Sequence, residues 1–260
     1  MDLGLEGKRA IVTGGNRGIG RCSSLALAQE GARVCITARN QTLLDEVVGE
    51  IDAIGGEGHP VAVDLTALEG CQKVVDETVG TFGGVDILVN CAGVNSATPY
   101  FELEEDDWDK VVDTNLKSVL FGSQAVAARM PEGGAIVNVS SLAGKRGSAN
   151  NSVYCVTKFG VNAVTQALAK ELGPRKIRVN AVCPVYVRTE GLTEALTEKG
   201  APPRGEDLTS YLAEFASNHT ALGVLPTDDQ VAATCVFLAS KAAAAITGQC
   251  LNVDCGVLPQ

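Results

Sequence analysis

The chain has 260 residues, of which 45% are hydrophobic and 20% charged, a composition typical of a soluble globular protein. Its formal net charge of −10 argues against a nucleic-acid partner, because phosphate binding needs a clustered basic face and the sequence has none. The longest apolar runs are far shorter than the roughly 20 residues that cross a bilayer, so we expect no membrane partner. A small-molecule role is favoured.

The nine cysteines form an odd set without C-x-x-C spacing, and only two histidines accompany them. We therefore expect no zinc or other metal site. Most of the cysteines lie in apolar segments such as VCIT and TCVFL, where cysteine acts as a small buried hydrophobe. The opening residues MDLGLEGKRAIVTGG lack the pattern of an export signal, so the sequence predicts a reducing, cytoplasmic location.

Short segments rich in β-branched residues alternate with amphipathic stretches of helical length along the chain. The predicted strands are 9–13, 33–37, 60–64, 85–90, 135–140, 177–182 and 250–254; the clearest helical stretches are 41–54, 67–82, 105–130, 152–173 and 227–240. Strands that are nearly all apolar and alternate with helices are typical of a parallel sheet covered on both faces. We predict one domain with a doubly wound α/β fold.

One segment departs from this alternation. Residues 190–225 lie between the predicted sixth strand and the last helix, with a Gly/Pro-rich hinge, GAPPRG, at 200–205. Long insertions beyond the carboxyl end of a strand often cover ligands, so we predict a substrate-covering lid. A surface excursion without function is the alternative.

The first predicted strand runs into the glycine-rich turn TGGNRGIG at residues 13–20. Glycines at such a turn let the backbone approach a pyrophosphate, which the free N–H groups of the following helix can bind. A position after a strand and before an amphipathic helix is the context that a dinucleotide site requires. The predicted phosphate-binding residues are Gly14, Asn16, Arg17, Gly18, Ile19 and Gly20; a turn without a ligand is the alternative.

The end of the second strand bears on the choice of dinucleotide. An NAD-binding protein would carry an acidic residue there for the ribose 2′-hydroxyl, but this chain has Ala38, Arg39 and Asn40. Arg39 can instead pair with a 2′-phosphate, flanked by Arg17, because a guanidinium suits phosphate geometry. The sequence therefore favours NADP(H) over NAD(H), with solvated arginines as the alternative.

Five motifs, in order, make nearly the whole chain resemble a short-chain dehydrogenase/reductase. They are TGGNRGIG (13–20), VDL (63–65), NCAG (90–93), SS followed by YCVTK (140–158) and ITGQCLNVD (246–254). Residues 151–182 are similar to dicarbonyl/L-xylulose reductases, and the amino-terminal half is similar to tropinone reductases. The resemblance implies a Rossmann fold with a seven-stranded parallel sheet, and an enzyme that interconverts a secondary alcohol and a ketone or aldehyde.

The same resemblance assigns roles to four residues. Tyr154 matches the general acid/base, Lys158 its partner, and Ser141 the hydroxyl that holds the substrate oxygen. Ser141 is chosen over Ser140 because it stands at the family's spacing from the tyrosine. Asn115 matches the asparagine that holds a water linked to the lysine.

The resemblance also extends the cofactor site. At the adenine end it implies Asp64 and Leu65, and the backbone of Asn90, Ala92 and Gly93. At the nicotinamide end it implies Pro184, Val187 and Thr189, together with Tyr154 and Lys158.

The residue types make this assignment chemically intelligible. An ordinary tyrosine is a poor base at neutral pH unless its phenolate is stabilised. Lys158, four residues after Tyr154, lies on the same helical face, where its charge favours the phenolate. An isolated Tyr-x-x-x-Lys pair would be better interpreted as a surface tyrosine beside a solvated lysine, but agreement with the other four motifs favours the catalytic interpretation.

The loop between Ser141 and Tyr154 is rich in hydrogen-bonding side chains, which favours a small polar hydroxy or oxo substrate such as a ketose, polyol or dicarbonyl. Candidate substrate contacts are Leu142, Ser148, Asn151 and Tyr186. A 3-oxoacyl-thioester (acyl carrier protein) reductase is the alternative, although the net charge of −10 disfavours docking of an acidic carrier. A second alternative is a non-catalytic protein that senses the cofactor. Loss of the tyrosine or the lysine would favour that alternative, and both residues are present.

In tetramers of this family, two long helices of each subunit build the interface. Residues 105–130 and 152–173 of this chain match those two helices. The resemblance therefore implies a homo-oligomer, a tetramer.

Overall fold

The computed structural model describes residues 2–198, 200–203 and 207–259. Parts of the predicted lid and of the GAPPRG hinge fall on 199 and 204–206 and lie outside the described residues. In the described chain no helix combines the length and the apolar character that crossing a membrane requires.

Within the described chain, seven strands form one sheet in the order β3-β2-β1-β4-β5-β6-β7. All neighbouring strands are parallel. The strands are β1 (Arg9–Thr13), β2 (Arg33–Ala38), β3 (Glu57–Ala62), β4 (Ile87–Asn90), β5 (Ala135–Val139), β6 (Arg178–Pro184) and β7 (Cys250–Val253). The predicted doubly wound Rossmann fold with a seven-stranded parallel sheet is confirmed.

Helices cover both faces of this sheet. They are α1 (Gly18–Gln29), α2 (Gln41–Ala53), α3 (Leu68–Phe82), α4 (Glu105–Val112), α5 (Ser118–Arg129), α6 (Ser152–Leu172), α7 (Glu190–Leu196), α8 (Leu208–His219) and α9 (Asp228–Ala239). Ala10 and Val12 of β1 pack with α1, α2 and α9, whereas Ile11 packs on the other face with α3 and α5. Leu27 is an example of a fully buried side chain in this core. Burial of a large apolar side chain of this kind contributes about 1.5–3 kcal/mol to the free energy of folding.

The third strand begins earlier than the sequence predicts. The prediction was 60–64, but β3 pairs with β2 from Glu57 to Ala62. The first three residues of β3, Glu57, Gly58 and His59, do not look like a buried strand. Because β3 is the edge of the sheet, it needs neither a fully apolar sequence nor every backbone donor.

The predicted helix 105–130 is interrupted. A π-helical turn at Asp113–Lys117 separates α4 from α5. Such turns are rare and occur often at functional sites, and this one carries the predicted site residue Asn115. Hydrophobic periodicity does not reveal one extra residue in a turn, so the sequence prediction missed it.

The strand order fixes where a ligand can bind. Chain order reverses between β1 and β4, which are adjacent although β2 and β3 separate them in sequence. In open parallel sheets, ligands bind beyond the carboxyl ends of the strands at such a switch point. The glycine-rich turn follows β1, and the NCAG motif follows β4, at this position.

Candidate active site

A cavity of about 600 Å³ opens beyond the carboxyl ends of β1 to β6. It is lined by most of the predicted cofactor and catalytic residues, namely Gly14, Asn16, Arg17, Gly18, Ile19, Gly20, Arg39, Asp64, Leu65, Ala92, Gly93, Ser141, Tyr154, Lys158, Pro184, Val187 and Thr189. The predicted substrate residues Ser148, Asn151 and Tyr186 line it too. Asn90, Asn115 and Leu142 are the predicted site residues outside its wall.

The glycine-rich turn has the backbone that close approach to a phosphate requires. Gly14 and Gly18 have φ of 65° and 50°, in the left-handed region that favours glycine. A Cβ on Gly20 would lie 2.1 Å from the carbonyl oxygen of Gly14, so no larger residue fits there. No side chain caps α1 at Arg17, which leaves the first N–H groups of the helix free for an anion.

Thr13 holds the NCAG motif against this turn. Its hydroxyl accepts hydrogen bonds from the backbone N–H groups of Cys91 (3.0 Å) and Ala92 (3.1 Å). The turn itself is tied to β2, because Gly14 N donates to Thr37 O at 2.7 Å. Sequence reasoning missed both residues. A hydroxyl residue at the carboxyl end of β1 was the available signal for Thr13, whereas Thr37 contributes only its backbone carbonyl, which no side-chain pattern reveals.

The two arginines of the predicted 2′-phosphate site differ in their surroundings. Arg39 is exposed and makes no hydrogen bond or ion pair within the described chain. Arg17 donates to both carboxylate oxygens of Glu194, at 2.7 and 3.1 Å. The expectation that Arg17 simply flanks Arg39 therefore overlooked a competing partner on α7.

Asp64 follows β3 at the adenine end of the cavity. Its carboxylate accepts hydrogen bonds from the backbone N–H and the hydroxyl of Thr66, both at 2.9 Å. These bonds, the backbone one foremost, lower the pKa of Asp64 below its usual value. Asp64 is therefore ionised at neutral pH and can accept a hydrogen bond from a ligand N–H.

Tyr154 and Lys158 lie one turn apart on α6. Lys158 is buried, and its Nζ donates to Val139 O at 2.9 Å and lies 5.4 Å from the centre of the Tyr154 ring. The ammonium is thus anchored at the end of β5 with two further N–H donors available. Both residues line the cavity, as the predicted acid/base pair requires.

The two serines that end β5 have different environments. Ser140 is buried, and its hydroxyl donates to the carbonyl of Lys158 at 3.2 Å. Ser141 is half-buried and its Oγ accepts the N–H of Ala143 at 3.1 Å. Because Ser141 accepts there, its own O–H proton remains free to donate to a ligand oxygen. This environment favours Ser141 over Ser140 as the group that meets substrate.

Asn115 is fully buried in the π-helical turn, and its amide is fully committed. Oδ1 accepts the N–H of Val94 at 2.8 Å, and Nδ2 donates to the carbonyl of Val94 at 2.7 Å. The side chain thus holds the loop after β4, and the expectation that Asn115 holds a water linked to Lys158 stays a prediction.

Asn90 belongs to a buried polar network. Its Nδ2 donates to Asn138 Oδ1 (2.9 Å) and to Ser123 Oγ (3.1 Å), and Asn138 Nδ2 donates to Thr165 Oγ1 (2.9 Å). These bonds join β4, β5, α5 and α6 beneath the cavity. The Asn90 side-chain amide N–H groups are therefore used within the protein, which agrees with a role of the Asn90 backbone at the cofactor. An asparagine at the same register in two neighbouring apolar strands was the signal for this network.

The predicted substrate end is bounded by the loop after β5 and by residues from 186–196 and 200–202. Leu142 is buried in a short 3-10 turn below the cavity, which differs from its predicted contact with substrate. Burial first, and then the Tyr211 hydroxyl at 3.4 Å, raise the pKa of Tyr186, so it remains a neutral phenol. Sequence reasoning missed a set of apolar residues from α7, Leu192, Ala195 and Leu196.

Polar contacts hold the segment after β6 against the other cavity walls. The Glu198 carboxylate accepts the N–H of Ala97, and Asn150 Nδ2 donates to Gly200 O at 3.1 Å. Ala97 also packs with Leu196, Ala201 and Leu212 in a small apolar cluster. Described residues of this segment therefore line the cavity on the side of β6.

Comparisons of sequence agree with this geometry. The family model described as "Enoyl-(Acyl carrier protein) reductase" matches residues 14–258. The chain is 36% identical to a 3-oxoacyl-[acyl-carrier-protein] reductase of Thermotoga maritima, over 98% of this chain and 99% of that protein. It is 38% identical to the L-xylulose reductase of Mus musculus, over 99% of both.

Solved structures show the same similarity. A dehydrogenase/reductase from Sinorhizobium meliloti superposes with a TM-score of 0.89 at 30% identity, covering 100% of this chain and 99% of that one. A short-chain dehydrogenase from Burkholderia cenocepacia in complex with NADP superposes with a TM-score of 0.87 at 34% identity, covering 97% and 98%. The similarity thus extends over nearly the whole chain in both sequence and fold.

Proposed function

The chain belongs to the short-chain dehydrogenase/reductase family, and we propose that it uses NADP(H), in preference to NAD(H), to interconvert a secondary alcohol and a ketone or aldehyde. The substrate we propose is a small polar hydroxy or oxo compound. The observation that carries the proposal is the convergence of Ser141, Tyr154 and Lys158 with the glycine-rich turn in one cavity.

The residues of the cavity fit a dinucleotide. The turn offers positive-φ glycines and an uncapped helix terminus to a pyrophosphate, and Gly20 is too close to Gly14 for any side chain. Arg39 supplies a cation where a 2′-phosphate would lie, and no carboxylate takes its place at the end of β2. A nicotinamide cofactor bound there would supply the hydride chemistry, while the residues of the protein position the substrate and move the proton.

Ser141 and Tyr154 have different roles at the substrate oxygen: Ser141 donates a hydrogen bond, and Tyr154 transfers a proton. In the reduction, the Ser141 hydroxyl donates a hydrogen bond to the carbonyl, which orients it and stabilises the charge that develops on oxygen. Tyr154 then gives its phenolic proton to that oxygen, and Lys158 stabilises the phenolate that remains. In the oxidation the same groups act in reverse, with the phenolate of Tyr154 accepting the alcohol proton.

We propose that the segment 190–225 acts as the lid over the substrate end of this single-domain enzyme. The contacts of Ala97 with Glu198 and of Asn150 with Gly200 support that role. The apolar side chains of α7 at the cavity keep water away from the reacting carbon.

We also propose a cytoplasmic location. All nine cysteines are free thiols, which fits a reducing compartment.

A homotetramer is the assembly we propose. Its support is a group of apolar side chains exposed on the helices that the family resemblance assigns to the interface. They are Trp108 on α4, Leu120 on α5, and Val156 and Phe159 on α6. Light scattering of the purified protein tests this, since a monomer at micromolar concentration would contradict it.

Reduction of a 3-oxoacyl thioester is the second candidate, because the Thermotoga maritima relative carries that activity in its name. The two candidates differ in what must reach the site: a small molecule enters the cavity, whereas an acyl carrier docks outside it. The net charge of −10 disfavours an acidic carrier. The non-catalytic alternative is disfavoured because Tyr154, Lys158 and Ser141 all line the cavity.

A substrate screen tests the proposal. Oxidation of NADPH and NADH is followed with a ketose, an α-dicarbonyl, an α-hydroxy ketone and an acetoacetyl thioester. We expect turnover of at least one small polar carbonyl, with a loss of about 100-fold or more in Tyr154→Phe. Tyr100→Phe is the matched control, because Tyr100 is 71% exposed and outside the cavity. Full activity of Tyr154→Phe would refute the mechanism, and turnover of the thioester alone would favour the second candidate.

A further inference from the structure

The ion pair between Arg17 and Glu194 joins the glycine-rich turn to α7. Arg17 immediately precedes α1 and lines the cavity, whereas Glu194 lies on α7 with its side chain 63% exposed. Nη1 and Nη2 of Arg17 each meet a separate carboxylate oxygen, at 2.7 and 3.1 Å. A bidentate pair fills the planar fork that a guanidinium also uses to bind phosphate.

The charges around Arg17 reinforce this pairing. Glu190, one turn earlier on α7, also contributes electrostatically to Arg17 without a hydrogen bond to it. The hydrogen bond from Arg17 holds the pKa of Glu194 below its usual value, so the carboxylate remains ionised throughout the neutral range. Arg17 is thus already paired with a carboxylate within the chain, whereas Arg39 makes no hydrogen bond or ion pair among the described residues and interacts with Asp64 only through the longer-range attraction of their charges.

We propose that Glu194 sets the cofactor selectivity of the enzyme by occupying the Nη1–Nη2 fork of Arg17, so that a 2′-phosphate competes with this carboxylate for a second arginine. This rests on the proposed function, in which the cavity binds NADP(H). Arg39 supplies the basal preference for the 2′-phosphate. Glu194 limits that preference, because it occupies one N–H donor on each of Nη1 and Nη2 of Arg17 and its charge offsets the attraction of the guanidinium for a phosphate.

The expected change in NADPH affinity is modest because the ion pair between Arg17 and Glu194 is exposed to solvent. An exposed ion pair is weak, so displacement of Glu194 is possible but has a measurable cost. Removing the charge of Glu194 leaves the fork of Arg17 free for the 2′-phosphate, and we expect about three- to tenfold tighter binding of NADPH. NADH carries no 2′-phosphate, so its affinity changes only through the general loss of a negative charge near the pyrophosphate.

The experiment compares Glu194→Gln with Glu190→Gln. Both substitutions remove one negative charge from α7 near Arg17, but only the first releases the bidentate pair. Dissociation constants of NADPH, NADH, adenosine 2′,5′-bisphosphate and AMP are measured by calorimetry, which needs no catalytic turnover. We expect the NADH-to-NADPH ratio of dissociation constants to rise about three- to tenfold in Glu194→Gln and to stay near the wild-type ratio in Glu190→Gln.

Two further measurements isolate the cause. In Arg17→Gln/Glu194→Gln the gain should vanish, because no guanidinium is left to meet the phosphate. The gain should also shrink as salt is raised, since exposed charges are screened. An unchanged ratio in Glu194→Gln, or equal weakening of NADPH and NADH, would overturn the proposal; equal weakening would assign Glu194 to holding the lid instead. If the wild-type protein binds neither dinucleotide, the proposed function itself fails, which is a distinct result.

Discussion

Lys158 donates from Nζ to the carbonyl oxygen of Val139 at 2.9 Å, which fixes its ammonium 5.4 Å from the centre of the Tyr154 ring. The lysine is therefore held by the end of the strand that also presents Ser141. One backbone carbonyl thus sets the position of the charge relative to both groups that would contact the substrate oxygen.

Replacement of this lysine should impair proton transfer. We expect Lys158→Met to lower kcat by about 100-fold or more, because the phenolate of Tyr154 loses its stabilising charge. Lys170→Met is the matched control, since Lys170 is an exposed lysine on the same helix. Steady-state kinetics over a range of pH measures the effect, together with a melting curve to establish that the variant folds. A variant with wild-type kcat at all pH values would remove Lys158 from the mechanism.

The exposed guanidinium of Arg39 should carry most of the preference for the 2′-phosphate. Loss of a charged hydrogen bond costs about 1.5–3 kcal/mol, so Arg39→Ala should weaken NADPH binding by roughly 10-fold or more. NADH binding should change little. Fluorescence titration with both cofactors decides this, and a parallel weakening of the two would show that Arg39 does not recognise the 2′-phosphate.

The glycine-rich turn should not tolerate a methyl group at Gly20. The added Cβ would lie 2.1 Å from the carbonyl oxygen of Gly14, so the turn must open and its phosphate cradle must distort. We expect Gly20→Ala to lose cofactor binding and to unfold at a lower temperature. Gly49→Ala provides the comparison, because its Cβ meets nothing within 4 Å on exposed α2 and should stabilise the protein by about 0.5–1 kcal/mol. Similar behaviour of the two variants would contradict the steric argument.

The pair of Asp86 and Arg9 should make stability depend on acid pH. Arg9 donates to Asp86 from its backbone N (3.0 Å), Nε (2.7 Å) and Nη2 (2.9 Å). Burial alone would raise the pKa of Asp86, but these hydrogen bonds hold it below its usual value. Because the folded pKa is lowered, the stabilisation is present above the unfolded pKa of about 3.9 and is lost as pH falls through the folded pKa.

Urea unfolding of wild type and Asp86→Asn measures this dependence. At pH 6 the wild type should be more stable by about 1.5–3 kcal/mol, and the difference should shrink below about pH 4. A difference that stays constant between neutral and acid pH would show that the charge of Asp86 does not contribute.

Local patterns in the sequence were sufficient for most of the fold. The apolar strands β1, β2 and β5 and the long helices α2, α3 and α6 have periodicities and turn residues that local steric rules fix. Predictions were less accurate where context outweighed propensity. The edge strand β3 begins with polar residues, and the π-helical turn at Asp113–Lys117 interrupts an otherwise regular helical pattern.

The same division holds at the candidate site. Motifs and their order indicated which residues lie at the carboxyl edge, because parallel strands place their ends together. They did not indicate how those residues are paired. Ser140 and Ser141 are neighbours in sequence and both line the cavity, yet the Ser140 hydroxyl donates to the Lys158 carbonyl, whereas Ser141 Oγ accepts the N–H of Ala143. The side chain of Asn115 hydrogen-bonds the backbone N–H and carbonyl of Val94, a contact that no motif reveals.

The sequence by itself determined the alternation of strands and helices, the turn that can admit a phosphate and the presence of a tyrosine, a lysine and a serine at the edge of the sheet. Those features depend on local steric preference and on spacing along a helix. Only the tertiary structure decided that Arg17 meets Glu194, which is 177 residues away in the chain. Such contacts depend on which loops lie side by side once the crossover connections have brought the parallel strands together. The separation of two residues along the chain does not indicate which loops become neighbours.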